Sequence, residues 1–249
     1  MKQILLHLRS EWYKYLLELI VITAGVLGAF ALNNWNEGRK QKDLEKKYFI
    51  NLKNDLQADI VGLDTLLNVG QRKILSAKNI RKRADEDSVG SLYDFSNVIY
   101  ELIFVNGFRP NQTTFDEMHN TGHFSNLKND SLKSMLLALD RKHEIIDGFQ
   151  EHIRNDYEVF LENFETHVDW GGYFDLKKSK IPDYLAFDST RIESNKGQME
   201  IDVLGLLDDK VFLNNVFLIE VNFTYFMPLM EETQSDIQVI INMLDQELK

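Results

Sequence analysis

The chain has 249 residues and no cysteine, which excludes disulfide bonds, thiolate metal ligands and a cysteine nucleophile. Its net charge is −11, and residues 36–249 carry 25 basic against 37 acidic side chains, which disfavours binding to nucleic-acid phosphates. The low counts of three prolines and 13 glycines argue against a many-turned β-sandwich or barrel and predict an all-α fold.

The sequence predicts a short amphipathic tail over residues 1–14 and a single transmembrane helix over residues 15–35. Glu18 is the only charged residue of the second segment, which has the length of about 20 apolar residues that a helix needs to span a bilayer. Aromatic residues flank the segment on both sides, including Trp12 and Trp35, as is typical of the two membrane interfaces. The sequence therefore indicates one N-terminal membrane anchor.

A cleaved signal peptide is the alternative, because Ala29-Phe30-Ala31 has the small-x-small form of a cleavage site. We favour a retained anchor, since the region before the apolar run is long and contains Glu11. The basic residues before and after the segment leave the side of the membrane that holds the remaining chain undecided.

One face of the predicted anchor combines small and polar residues. At 100° per residue, Glu18, Gly25, Ala29 and Asn36 point within about 20° of a common direction. Small residues let helix backbones approach closely in lipid, and an intramembrane acid usually faces protein or water. We favour self-association through this helix-contact face. The alternatives are that Glu18 extends to the headgroups, or that it lines a path for ions or protons.

Residues 36–249 predict a helical soluble domain. Apolar residues recur at helical spacing from Leu52 to Ile74, and the turn-prone residues 83–90 should end this helix, with a second helix at about 91–105. Thr114 and Glu117 have the spacing of a capping box, and Gly122 could end the short helix that they begin.

The clearest periodic pattern follows Asn129 and runs to Val168, which predicts a helix of nearly 40 residues. An irregular connection is expected near residues 169–207. Asp208 could then cap a final helix that reaches Leu248, with a kink or break near Pro228. Such long apolar faces need equally long partners, so we expect the anchor helix to continue into an elongated antiparallel helical bundle, in the manner of a coiled coil.

Two segments resemble a bacterial family of unknown function. The stretch "LELIVITAGVLGAFALNNWNEGRK" is similar to that family's anchor, which closes in Asn-Asn-Trp-Asn-Glu, and "TTFDEMHNTGHFSNLKNDSL" resembles its second conserved block. Met118 and Thr121 stand where the family has leucine and serine. The resemblance implies a single-pass protein of the bacterial inner membrane with a helical domain, and it implies no catalytic residue.

No pattern in the sequence predicts an active site. His119 and His123 have a spacing that could bring two metal ligands together, but Gly122 interrupts the helix, so structural roles are favoured. His143 lies on the predicted seam of the long helix, where we expect it to hydrogen-bond a carboxylate. We therefore predict no metal, no cofactor and no catalytic residue.

The sequence favours a membrane-anchored interaction, scaffold or sensory module that acts as a homo-oligomer or within an envelope protein complex. The alternative is a subunit of an oligomeric membrane pore or ion-coupled complex that uses Glu18. An enzyme with an unrecognised site is a third hypothesis, which would require histidines and carboxylates to meet in one pocket of the soluble domain.

Overall fold

The computed structural model describes residues 2–103, 107–169 and 189–249. Within these ranges the regular structure is entirely helical, which confirms the predicted all-α fold class. The elements are α1 (Lys2–Asp85), α2 (Leu92–Ile103), α3 (Thr113–Asn120), a 3₁₀ turn (Phe124–Asn126), α4 (Asp130–His167), α5 (Ser189–Ser194), α6 (Lys196–Asp208) and α7 (Lys210–Glu247). The chain divides into two compact units, Met1–Leu52 with Leu248, and Lys53–Glu247 with Lys249.

The first unit consists mainly of the N-terminal part of α1, whose backbone is helical through the predicted tail and the predicted anchor. Every residue from 12 to 43 is exposed, including the large apolar side chains between Trp12 and Trp35. Among the described residues, α1 is the helix that contains a stretch long and apolar enough to cross a membrane. Tyr48 and Leu52, further along the same unit, are buried.

In the second unit, the C-terminal part of α1 packs against α7 in the opposite direction. Lys53 Nζ donates a hydrogen bond to Asp245 Oδ1 at 2.5 Å, while Arg81 NH1 donates one to Glu220 Oε2 at 2.7 Å. Residue numbers therefore rise along α1 as they fall along α7, and the two stretches are antiparallel.

The helices α4 and α7 also run antiparallel within this unit. Asn129 Nδ2 donates to Glu247 Oε1 at 2.7 Å, and Asn222 Nδ2 donates to Asp156 Oδ2 at 2.8 Å. Apolar residues of both helices are buried at helical spacing, as the periodic pattern predicted.

The beginning of α4 agrees with the sequence, whereas that of α7 differs by one residue. The Asn129 side chain caps α4 by accepting a hydrogen bond from the Leu132 amide at 3.0 Å. For α7 the cap is Asp209, whose Oδ1 accepts from the Val211 amide at 2.6 Å. The predicted cap, Asp208, is instead the last residue of α6.

Helices occupy part of the region in which we expected an irregular connection, residues 169–207. Of that region, residues 170–188 lie outside the described residues, and α5 and α6 follow them. The apolar side chains of Met199, Val203 and Leu206 are buried. Their three- and four-residue spacing was the available signal for α6, and the polar residues and glycines around it concealed the pattern.

The final helix α7 continues through Pro228, so the break considered there does not occur. Phe226 and Met230, one turn apart on either side of the proline, are 1% and 0% exposed. Their burial holds both turns in place and offsets the loss of the hydrogen bond that the proline nitrogen cannot donate.

Two glycines should respond to alanine with opposite signs. A β-carbon at Gly70 would lie 2.9 Å from Cδ1 of the buried Phe223 ring, whereas one at Gly148 would meet no atom within 4 Å. Alanine stabilises a helix interior by about 0.5–1 kcal/mol relative to glycine, and overpacking costs about 1–3 kcal/mol. We expect Gly148→Ala to raise the free energy of unfolding and Gly70→Ala to lower it by about 1 kcal/mol. Urea unfolding followed by circular dichroism measures both, and a stabilising Gly70→Ala would contradict the close approach.

Candidate functional site

The four residues of the predicted helix-contact face lie on the continuous helix α1. Glu18, Gly25, Ala29 and Asn36 are all exposed, and a β-carbon at Gly25 would meet no atom within 4 Å. Because α1 is helical throughout this stretch, the four side chains lie on one side of it. The face is therefore available for contact with another helix or with lipid.

The loop of residues 107–112 leads into α3 and contacts both α1 and α4 in the second unit. At its centre is Phe108, which is 5% exposed. Its ring lies 3.1 Å from the position of a β-carbon on Gly62 of α1, and its centroid is 6.0 Å from that of His143 on α4. Glycine at position 62 thus makes room for the aromatic ring between the two helices.

The side-chain amide of Gln150, on α4, pairs with the backbone of Phe108. Gln150 Oε1 accepts from the Phe108 amide at 2.5 Å, and Gln150 Nε2 donates to the Phe108 carbonyl at 3.0 Å. Gln150 is buried, so this pair satisfies the backbone groups of a loop that has no regular hydrogen-bonding partner of its own.

Two aspartates of α1 hold the other end of the loop. Asp59 Oδ1 accepts from the Asn111 amide at 2.8 Å, and Asp55 accepts from Asn111 Nδ2 at 2.8 Å and from the Thr114 amide at 3.1 Å. Asp55 therefore caps α3 from a different helix. We call Asp55, Asp59, Phe108, Asn111 and Gln150 the loop clamp.

The predicted capping box at Thr114 is wrong. Thr114 lies inside α3, and the residue at its N-cap, Gln112, makes no side-chain capping bond. Instead, Gln112 Nε2 donates to Asp140 Oδ1 of α4 at 2.7 Å. The predicted end of α3 is confirmed, because Gly122 has φ of +78°, in the left-handed region that favours glycine.

Asp59 is the least solvated carboxylate of the loop clamp. It is 3% exposed, and its Oδ2 atom has no hydrogen-bond partner among the described residues. Burial raises the pKa of Asp59 to about 6, the amide of Asn111 opposes this increase, and the charge of Asp55 adds to it. Compared with the unfolded chain, the folded state therefore favours the protonated form of this carboxyl.

His143 differs from the carboxylate-bonded seam histidine that we expected. It is 7% exposed, and neither ring nitrogen has a hydrogen-bond partner among the described residues. Asp140, the nearby acid, accepts from Gln112 instead, and the Phe108 ring packs beside the imidazole. Burial lowers the pKa of His143 to about 4, so the ring is neutral near pH 7.

Lys73 is a buried polar residue that the sequence reasoning did not identify. Its Nζ donates to the carbonyls of Glu101 at 2.7 Å and Leu102 at 3.1 Å, at the end of α2. Burial lowers the pKa of Lys73 to about 7, and the charge of Glu101 opposes this decrease. The contacts explain Lys73 as a cap for the orphan carbonyls of a helix C-terminus.

An open cleft of about 710 Å³ adjoins the loop clamp. Its lining includes the buried Phe108, Ile153 and Phe226, and charged residues of both signs, among them Arg109 and Arg154, line it as well. Burial raises the pKa of Tyr157, another lining residue, to about 12, so its hydroxyl stays protonated near pH 7 and supplies no phenolate base. None of the described residues that line the cleft is a histidine or serine that could form a nucleophile-base pair.

The structure also places the histidines considered as metal ligands. The His119 ring packs against the rings of Phe115, at 6.0 Å, and Phe124, at 5.5 Å. Within the part of the chain that the structure describes, no three histidine, aspartate or glutamate side chains gather where they could hold a metal ion.

In the residues that the structure describes, the regular structure is helical, α1 carries a long, exposed apolar segment, and the loop of residues 107–112 is clamped between helices. The sequence model of a family of unknown function, DUF6090, matches residues 18–125 of this chain. That range contains the helix-contact face and four of the five residues of the loop clamp, while Gln150 lies beyond it. No curated protein and no solved structure matches the chain.

Proposed function

We propose that this protein is a single-pass membrane protein whose helical domain serves as an interaction, scaffold or sensory module without catalysis of its own. The observation that carries the proposal is the exposed apolar surface of α1 between residues 12 and 35. A surface of this size is unfavourable in water, and a bilayer would cover it along its whole length. The family resemblance suggests the bacterial inner membrane as the location.

The ends of the exposed segment support a transmembrane orientation. Trp12 and Tyr15 lie at one end and Trp35 at the other, and about 20 residues separate the two positions, which matches the thickness of the hydrocarbon core. Within this segment, Glu18 lies close to one end, where a carboxylate can meet both lipid headgroups and a neighbouring helix.

Oligomerisation is the second part of the proposal. Gly25 and Ala29 would allow close approach of two helices in lipid, and the side chains of Glu18 and Asn36 could hydrogen-bond across such a contact. The helical domain that follows the anchor would then be tethered to the membrane through it. The polar groups of its loop clamp bond to the loop itself and fix its position, which supports a structural rather than a catalytic role for these groups.

Single-cysteine crosslinking tests the helix-contact face. Since the native chain lacks cysteine, each variant carries one reactive thiol. We expect Gly25→Cys and Ala29→Cys in native membranes to form disulfide-linked dimers several times more efficiently than Thr23→Cys and Leu27→Cys, which lie on the opposite side of α1. Non-reducing electrophoresis after mild oxidation measures the dimer fraction.

Three outcomes would contradict the proposal at different points. Equal crosslinking at all four positions would rule out the proposed face but leave the anchor intact. Release of the full-length protein from membranes by alkaline carbonate would rule out the anchor. Recovery of a chain whose N-terminus begins after Ala31 would show instead that the segment is a cleaved signal peptide.

A further inference from the structure

Four residues just beyond the apolar segment form a stripe along one side of α1. Trp35, Arg39, Lys42 and Lys46 follow one another at steps of four, three and four residues, so they point within about 60° of one another. All four are exposed. We call them the cationic stripe.

The three cations of the stripe lack bonding partners among the described residues, whereas the neighbouring Lys40 has one. Within the described part of the chain, Arg39, Lys42 and Lys46 make no ion pair or side-chain hydrogen bond. Lys40, which lies about 100° from Arg39 around the helix, pairs with Glu37 at 3.4 Å. The cations of the stripe are therefore free to meet an external anion, whereas Lys40 already contacts the carboxylate of Glu37.

The distance of these charges from Trp35 matches the dimensions of a membrane interface. At 1.5 Å per residue, Arg39 lies about 6 Å and Lys42 about 10 Å beyond Trp35 along the helix axis. The headgroup region on one side of a bilayer is roughly 5–8 Å thick. With Trp35 at the edge of the hydrocarbon core, both cations can reach lipid phosphates, while Lys46, at about 16 Å, stands farther away.

We infer that Trp35, Arg39 and Lys42 form a binding surface for the headgroups of anionic phospholipids. The inference rests on the proposed membrane anchor and specifies the lipid that the anchor meets. The stripe points about 60–120° away from the helix-contact face, so association through Gly25 and Ala29 would leave it turned toward lipid. Indole and guanidinium groups then hold the helix at a defined depth, and the positive charge selects the negative headgroup.

Lipid selectivity of the full-length protein tests the inference. The protein is reconstituted into phosphatidylcholine vesicles that contain a trace of spin-labelled phosphatidylglycerol or, in parallel, spin-labelled phosphatidylcholine. Electron paramagnetic resonance gives the fraction of motionally restricted label and thus the relative association constant. We expect the wild type to prefer phosphatidylglycerol by about fivefold at low ionic strength, and less at high salt.

Paired variants with the same change in net charge provide the control. Arg39→Gln combined with Lys42→Gln should reduce the preference to about one, whereas Lys40→Gln combined with Lys47→Gln should retain most of it. Equal loss in both double variants, or no preference in the wild type, would overturn the lipid-binding surface. Failure of the protein to float with the vesicles at all would instead contradict the membrane anchor, so the two proposals fail separately.

Discussion

Phe108→Ala is expected to lower the free energy of unfolding by about 3–5 kcal/mol, as is typical when a buried aromatic side chain is removed. The ring fills the space that Gly62 leaves on α1 and packs against His143 on α4, so alanine would leave a cavity between two helices. Urea unfolding of the detergent-solubilised full-length protein, followed by circular dichroism, measures the change.

A phenylalanine on the surface is the matched control. Phe217 is 46% exposed and lies under the guanidinium of Arg81, whose carbon is 5.0 Å from the ring centroid. Its replacement by alanine should cost about 1 kcal/mol or less. Equal losses of unfolding free energy for Phe108→Ala and Phe217→Ala would show that the buried Phe108 ring contributes no more to stability than an exposed one.

The backbone part of the loop clamp can be tested separately from the ring. Gln150→Leu keeps a side chain of similar size but removes both hydrogen bonds to the Phe108 backbone, which leaves a buried donor and a buried acceptor unpaired. The expected loss is about 2–5 kcal/mol. A loss much below this range would mean that water replaces the amide.

Asp59→Asn is expected to make the protein more stable above about pH 7 and to remove one source of its pH dependence. The pKa of Asp59 in the folded state, about 6, exceeds its ordinary value of 3.8. The stabilising contribution of the protonated carboxyl is therefore complete below pH 3.8 and is lost as the pH rises through 6. The total loss of unfolding free energy is about 3 kcal/mol. Asparagine does not ionise and therefore avoids this loss. Its side-chain oxygen can still accept a hydrogen bond from the Asn111 amide.

The measurement is the difference in unfolding free energy between Asp59→Asn and wild type from about pH 4 to pH 8, which should grow in favour of the variant. His143 titrates in the opposite sense. Its pKa falls from 6.5 to about 4 on folding, so the stability it provides is lost as the pH drops. Because His143 is present in both proteins, its contribution cancels. A difference that does not change with pH would contradict the assignment to Asp59.

The sequence predicted the structural elements that depend on neighbouring residues, but it did not predict contacts between residues far apart in the chain. The apolar period identified α4 almost to the residue, and Asn129 and Gly122 marked helix boundaries because their effects operate within a few residues. By contrast, Asp55 caps α3 from 59 positions earlier, and Gln150 binds the Phe108 backbone from 42 positions later. No local sequence pattern predicts hydrogen-bond partners at such distances along the chain.

The same distinction applies to the candidate sites. The residues of the proposed helix-contact face could be grouped from the sequence, because helical geometry alone puts Glu18, Gly25, Ala29 and Asn36 on one side of α1. The loop clamp could not, since Asp55 and Asp59 look like ordinary solvated charges on an amphipathic helix. Only the packing of a loop over them shows that Asp59 is buried.

The cap that Asp55 provides for α3 also bears on the order in which the chain folds. α3 has only eight residues, and isolated helices of that length are marginal in water. Its first turn gains its acceptor only after the chain has closed a loop of 59 residues between Asp55 and Thr114. We therefore expect α3 to form late, which would make this short helix an indicator of completed folding in the second unit.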